Sequence, residues 1–240
     1  MYRLLLFLIL ILSISCSDKN TLTYEKIDIL NLDKILNDKD IIVLDVRTSE
    51  EINAGYIPNS TFIDYYDDNF ENKINLIDRS KKIYTLCKSG GRSVKAANIL
   101  SQKGFKKVYN LEGGFMRWKA NKMPYDINST NNDSSTFELV SENSLDSLIK
   151  NNSNTLIYIS TKWCFPCKKM EPTIDRLITD NSPLKVIKID LDANTYAQER
   201  FNVKSLPALV LYENNSVVWR KNGIIAYDDL ISFLASFLKN

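Results

Sequence analysis

Two cysteine-bearing stretches, Cys87-Lys88-Ser89-Gly90-Gly91-Arg92-Ser93 and Trp163-Cys164-Phe165-Pro166-Cys167, hold the residue types on which chemistry can be built. In the first, a thiol ends an apolar run, and a glycine-rich turn then feeds the start of a helix. Such a turn aims backbone N–H groups inward, the helix N-terminus adds positive potential, and Arg92 adds a cation at the rim. Gly90 and Gly91 let the backbone curl without a Cβ clash. Surroundings of this kind lower a thiol pKa to about 3.5–7.5 and favour the nucleophilic thiolate. The stretch reads as a cradle for a persulfide or a small oxyanion; the plainer alternative is a buried strand-end cysteine beside a turn. In the second, two cysteines spaced by two residues at a helix start lie within disulfide reach, and the first has its pKa lowered. An exposed Cys164 would attack to form a mixed disulfide, and Cys167 would resolve it. A purely structural disulfide is the alternative.

The chain has no histidine. That excludes His-assisted hydrolase triads, His proton shuttles and His-containing zinc sites, and a cysteine-only zinc site would need a second C-x-x-C. No metal and no cofactor are expected. Lys and Arg number 31 against 29 Asp and Glu, so no electrostatic case exists for nucleic acid. Hydrophobic residues make up 44% and charged residues 25%, a globular composition, and 240 residues suffice for two ordinary domains.

Short apolar strands alternate with amphipathic helices in two segments. In the first, residues 24–123, strands are expected at Ile41–Leu44, Lys82–Leu86 and Lys107–Leu111, with a helix over Ser93–Leu100. Residues 124–136, PYDINSTNNDSST, are polar and turn-rich and read as a linker. In the second, residues 137–240, strands are expected at Leu156–Ser160, Leu184–Ile189, Ala208–Tyr212 and Val217–Lys221, with helices at Lys168–Ile178 and Asp228–Leu238. The strand–helix alternation places both segments in the α/β class.

The first segment resembles a rhodanese. The cysteine loop, Asp45-Val46-Arg47-Thr48, Glu50-Glu51, Gly55-Tyr56-Ile57-Pro58-Asn59-Ser60 and Leu111-Glu112-Gly113-Gly114-Phe115 with Trp118 follow that family's order. The resemblance implies a parallel-sheet domain in which Cys87 carries sulfur as a persulfide. Lys88, Ser89, Gly90, Gly91 and Arg92 would form the binding loop, and Asp45 and Arg47 would support it. Related phosphatases carry one residue more between cysteine and arginine than the four here, and the shorter cradle suits sulfur over a phosphoryl group. The sulfur donor would be thiosulfate or a persulfide.

The second segment resembles thioredoxin. Trp163, the C-x-x-C pair, Lys168, Met170 and Pro172 match that family's helix, and Ser205-Leu206-Pro207 matches its cis-proline, with Gly223 on the next strand. The resemblance implies that the backbone of Leu206 and Pro207, with Trp163, faces the dithiol and pairs with substrate chains. Tyr158 stands where cytosolic members bury an Asp, so deprotonation of the resolving thiol would fall to another group, Lys188 through water. Phe165 replaces the usual Gly. Client protein thiols and disulfides, and a redox partner giving or taking electrons, would be the partners.

Arg3, the apolar run Leu4–Leu12 and Ser13-Ile14-Ser15-Cys16 form a secretory leader of residues 1–15 followed by a tether, 16–23. Its end resembles the lipobox of bacterial lipoproteins, which implies lipidation of Cys16 and a membrane anchor in the cell envelope, facing the periplasm or exterior. Together the segments suggest a thiol–disulfide oxidoreductase coupled to sulfur transfer through Cys87. The alternative makes the first domain only a recruitment module for the redox domain.

Overall fold

The computed structural model describes residues 24–127, 140–180 and 183–237. The leader, Cys16 and most of the linker lie outside the described residues.

The first unit is a five-stranded sheet. Its elements are β1 (Glu25–Asp28), a 3-10 turn (Ile29–Lys34), β2 (Ile41–Asp45), α1 (Ser49–Asn53), β3 (Ser60–Phe62), α2 (Phe70–Ile74), β4 (Lys82–Leu86), α3 (Gly91–Gln102), β5 (Val108–Glu112) and α4 (Gly114–Ala120). The order β1-β5-β4-β2-β3 is parallel throughout. Parallel strands need both faces covered, which is why β2 reads as an apolar run to Leu44 and β4 is buried from Ile83 to Leu86, Thr85 included. Ile42 and Leu44 face Ala96, Ala97 and Leu100 of α3, while Val43 faces Ile29 and Trp118 on the other side. Thr48 and Glu51 close a capping box that starts α1.

The second unit holds α5 (Glu142–Lys150), β6 (Asn154–Ser160), α6 (Phe165–Thr179), β7 (Lys185–Asp190), α7 (Tyr196–Arg200), β8 (Ala208–Glu213), β9 (Ser216–Asn222) and α8 (Tyr227–Leu234). Its sheet runs β7-β6-β8-β9, with β6 parallel to β7 and the other pairs antiparallel. Along β6 the side chains alternate: Leu156 and Tyr158 pack with Met170 and Ile174 of α6 and Leu230 of α8, while Ile157 and Ile159 pack with Leu145 of α5.

The fold is the α/β pair expected, with shifted boundaries. α3 begins two residues before Ser93, because Gly90 in the left-handed region starts the helix directly after the loop. α6 begins at Phe165 rather than Lys168 and runs through Pro172, whose ring sits inside the helix. α8 ends at Leu234, short of Leu238. β1 and β3 are short, and neither they nor α5 is among the expected elements, although α5 is amphipathic, with Leu145 and Ile149 buried. Pro124–Asp126, expected to open the linker, belongs to the first unit: Trp118 Nε1 donates to the Pro124 carbonyl at 2.7 Å, and Asp126 bridges Tyr56.

Candidate active sites at two cysteines

Cys87 directly follows β4, and the next residues turn back into α3. Its side chain is 1% exposed. The Gly90 N–H donates to its sulfur at 3.1 Å, and the Ser93 hydroxyl lies 3.4 Å from the sulfur while donating to the Gly90 carbonyl at 3.0 Å. Burial pushes the thiol up, but the Ser93 hydroxyl and the N–H groups of Ser93, Gly90 and Ser89 outweigh it, and the thiol is held below its ordinary value. Gly90 takes a φ of 117°, which only glycine adopts without strain.

α4 braces the loop from behind. The Phe115 and Met116 N–H groups donate to the carbonyls of Cys87 and Lys88 at 2.9 and 3.0 Å. This close approach depends on Gly114: a Cβ there would stand 2.6 Å from both carbonyl oxygens. Asp45 and Arg47 form a buried fork-to-carboxylate pair, 2.6 Å at its shortest, and Arg47 also donates to the Gly55 carbonyl and lies 3.9 Å from the Phe115 ring centre. Burial pushes the Asp45 carboxyl up and the Arg47 fork opposes it. Arg92 does not stand as a free cation at the rim. Both its terminal nitrogens pair with Glu51 at 2.7 Å, which holds the Glu51 carboxyl below its usual range.

Cys164 and Cys167 are joined as a disulfide. Cys164 is the N-cap of α6, and its sulfur accepts from the Cys167 N–H at 3.2 Å. The Leu206–Pro207 bond is cis, and the Gly223 N–H donates to the Pro207 carbonyl at 2.8 Å. Tyr158 is fully buried, and its hydroxyl donates to the Cys167 carbonyl at 2.9 Å; burial, with Glu171 nearby, pushes the phenol far up, so it stays protonated. Lys188 does not serve as the water-linked base expected: its ammonium is paired with Asp175.

The exposed attacking thiol expected at Cys164 is also not what the fold presents. Cys164 is 2% exposed, and the first unit packs against the residues around it. The Phe62 N–H donates to the Trp163 carbonyl at 3.1 Å, Thr61 Oγ1 accepts from the Phe165 N–H at 3.3 Å, and the Leu206 N–H donates to the Leu76 carbonyl at 2.9 Å. Trp163 packs against the cores of both units. Phe62 and Leu86 both stand in register with Asp45, so they are two strands apart, about 10 Å. The register therefore brings Trp163-Cys164 and Leu86-Cys87 to the same end of one sheet. A cleft of about 500 Å³ opens there, lined by Arg47, Tyr56, Ser60, Phe62, Trp163 and Phe165.

Comparison with known families matches a rhodanese-like domain over residues 29–121 and thioredoxin over residues 136–236. YtwF of Bacillus subtilis, a sulfurtransferase by name, is 36% identical over 92 residues, 38% of this chain and 86% of that protein. The chain belongs to the rhodanese-like and thioredoxin families. For the second half, the thioredoxin-like protein slr1139 of Synechocystis is 38% identical over 80 residues, 33% of this chain and 73% of that protein. Among solved structures, a rhodanese-related protein of Thermoplasma volcanium is 32% identical, with 43% of this chain and 99% of that one covered and a TM-score of 0.40.

The rhodanese-like and thioredoxin domains make this a redox and sulfurtransferase-like protein. Sequence reasoning passed over Glu51 as the partner of Arg92, Ser93 as the hydroxyl on the sulfur, and Thr61 and Leu76 at the dithiol. Glu51 and Ser93 stand inside the motifs named above, but nothing local pairs Glu51 with Arg92. Thr61 and Leu76 carry no local signal at all. Among the described residues, no group of three or more His, Cys, Asp or Glu side chains gathers as a metal site, and no helix is long and apolar enough to cross a membrane.

Proposed function

We propose that this protein is an envelope-anchored thiol–disulfide oxidoreductase coupled to sulfur transfer through a Cys87 persulfide. The observation that carries the reading is the shared sheet end: Cys87 follows Leu86, Cys164 follows Trp163, and the Phe62 bond to Trp163 ties the two levels together. The Cys87 thiolate attacks the outer sulfur of a thiosulfate or persulfide donor, and sulfite or the donor's thiolate leaves. The Cys164 thiolate then attacks that outer sulfur, and Cys87 leaves as thiolate. Attack by the Cys167 thiolate on Cys164 Sγ expels hydrosulfide and closes the Cys164–Cys167 disulfide. One persulfide and one dithiol thus become one thiol, one disulfide and hydrosulfide. A redox partner returns the two electrons before the next turnover. Lys88 to Arg92 hold the anionic donor, and Trp163, Leu206 and Pro207 face the dithiol's partner. The leader and Cys16 support the anchor, since a lipidated Cys16 holds the domains at a membrane surface outside the cytoplasm.

Mass spectrometry of the reduced protein before and after thiosulfate tests the coupling. A gain of about 32 Da, one sulfur atom, on Cys87 is expected, followed by its loss as Cys164 and Cys167 oxidise. Cys87→Ser abolishes the gain and leaves dithiol exchange intact. No gain with thiosulfate or a persulfide donor would reduce the rhodanese-like domain to a recruitment module. Labelled palmitate incorporation that Cys16→Ser removes tests the anchor.

A further inference from the structure

The thioredoxin-like groove is already occupied by the chain itself. Leu76 follows α2 at the top of the rhodanese-like domain, and its carbonyl accepts from the Leu206 N–H at 2.9 Å. Its side chain, 6% exposed, joins the apolar cluster that holds Cys164, Cys167, Leu206 and Ala208. Two residues on, Asp78 approaches Gly223: its Oδ2 is the nearest atom, at 3.9 Å, to where a Gly223 Cβ would sit. Leu76–Asp78 therefore runs from the peptide beside Pro207 towards Gly223. On the opposite flank, Thr61 Oγ1 accepts from the Phe165 N–H at the start of α6, and the Phe62 N–H donates to the Trp163 carbonyl just before it. The Leu206 amide is the donor through which an incoming extended chain would add to this edge, and it is already used.

We propose that Leu76–Asp78 is a tethered competitor for the groove, so that an external protein disulfide reaches Cys164 only by presenting an extended, apolar segment that displaces Leu76. The proposal rests on the redox reading above and adds the partner that reading leaves open. The default partner of the dithiol is the rhodanese-like domain, and the external partner is an unfolded or extended chain rather than a compact surface. A tethered segment acts at an effective concentration of about a millimolar, far above that of a dilute client. A small disulfide offers no extended backbone to pair with the Leu206 amide, so it takes no part in the competition for that edge.

Leu76→Asp in the full chain, reduced beforehand and freed of reductant, tests this in single turnovers, with insulin as the protein disulfide and 5,5′-dithiobis(2-nitrobenzoate) as the small one. A carboxylate does not stay in the apolar cluster, so the ratio of insulin to small-disulfide rates is expected to rise about tenfold or more over wild type. An unchanged ratio overturns the gate while leaving the redox reading standing. If both probes are inert in both proteins, the redox reading fails and the gate falls with it. Hydrogen exchange of the Leu206 amide in the wild-type protein gives a second measurement that needs no variant. Slow exchange is expected, and exchange at the rate of a solvent-exposed amide overturns the proposal.

Discussion

Glu51 takes both terminal nitrogens of Arg92 at 2.7 Å, and the same carboxylate accepts from the Thr48 N–H at 3.0 Å. The start of α1 is thus tied to the first turn of α3, and the cation beside the Cys87 loop is half-neutralised. The Arg92 guanidinium and the Cys87 sulfur attract one another, so what Glu51 does to Arg92 is felt at the thiol.

Glu51→Gln keeps a hydrogen-bonding partner and removes the anion. Arg92 then acts on Cys87 uncompensated, and the pH midpoint of Cys87 alkylation by iodoacetamide is expected to fall. Arg92→Gln is expected to move it the other way. A midpoint that rises in Glu51→Gln would show that the pair acts only through loop geometry.

Ser93→Ala removes the hydroxyl 3.4 Å from the sulfur. Burial still pushes the thiol up and fewer hydrogen bonds oppose it, so the alkylation midpoint rises. The same shift governs stability. Because the folded thiol titrates below the unfolded one, the native state binds fewer protons between the two values, and stability rises with pH across that window. It is lost again as pH falls through the folded value. Urea denaturation at several pH values is expected to show this rise in wild type, a smaller one in Ser93→Ala and none from this source in Cys87→Ser.

Gly114 and Gly91 make a matched pair. A Cβ on Gly114 meets the carbonyl oxygens of Cys87 and Lys88 at 2.6 Å, at a φ of 60°, whereas a Cβ on Gly91 meets nothing within 4 Å. Gly114→Ala is expected to cost about 2–4 kcal/mol and to abolish sulfur loading, since α4 must back away from the loop. Gly91→Ala, at the first position of α3, is expected to change stability by less than about 1 kcal/mol. Thermal melts of the two variants decide it; equal losses would refute the steric account.

The contrast between these glycines also shows how much the sequence revealed. The loop from Cys87 to Arg92, the C-x-x-C pair and Leu206-Pro207 were legible because turn chemistry and helix starts are local, written in residues a few positions apart. The apolar runs of β2, β4 and β6 were legible because burial on both faces leaves no polar alternation. What a residue meets across the fold was not. Glu51 lies forty-one positions from Arg92 and Thr61 more than a hundred from Phe165, and no periodicity connects them. Lys188 looked available as a base until Asp175, from α6, was found against it. Cys164 looked exposed because it caps a helix; Thr61, Phe62 and Leu76, from the other half of the chain, pack around its neighbours.

Tyr158→Phe separates a structural phenol from a proton carrier. The hydroxyl donates to the Cys167 carbonyl at 2.9 Å, and burial keeps it protonated across the accessible range. Losing one buried hydrogen bond is expected to cost about 1 kcal/mol. The pH profile of dithiol exchange should not move, because the group does not titrate within it. A profile displaced by a unit or more would restore Tyr158 as a participant in proton transfer.

Asp45→Ala is expected to be the most damaging single change near the first site. Arg47 is 3% exposed, and Asp45 takes its Nε and Nη2; the rest of the guanidinium reaches only the carbonyls of Gly55 and Glu51 and the face of Phe115. Removing the carboxylate leaves that nearly buried charge without its counter-ion, which costs about 3–5 kcal/mol. Asp45 also stands in register with Leu86, the residue before Cys87, so the loss is transmitted to the cysteine loop. The double variant Asp45→Leu, Arg47→Met removes both charges and is expected to recover most of the stability, while Phe115, no longer stacked on the Arg47 guanidinium, braces the Cys87 carbonyl less firmly and sulfur loads more slowly than in wild type. A double variant as unstable as Asp45→Ala would mean that packing volume, and not the unpaired charge, sets the cost.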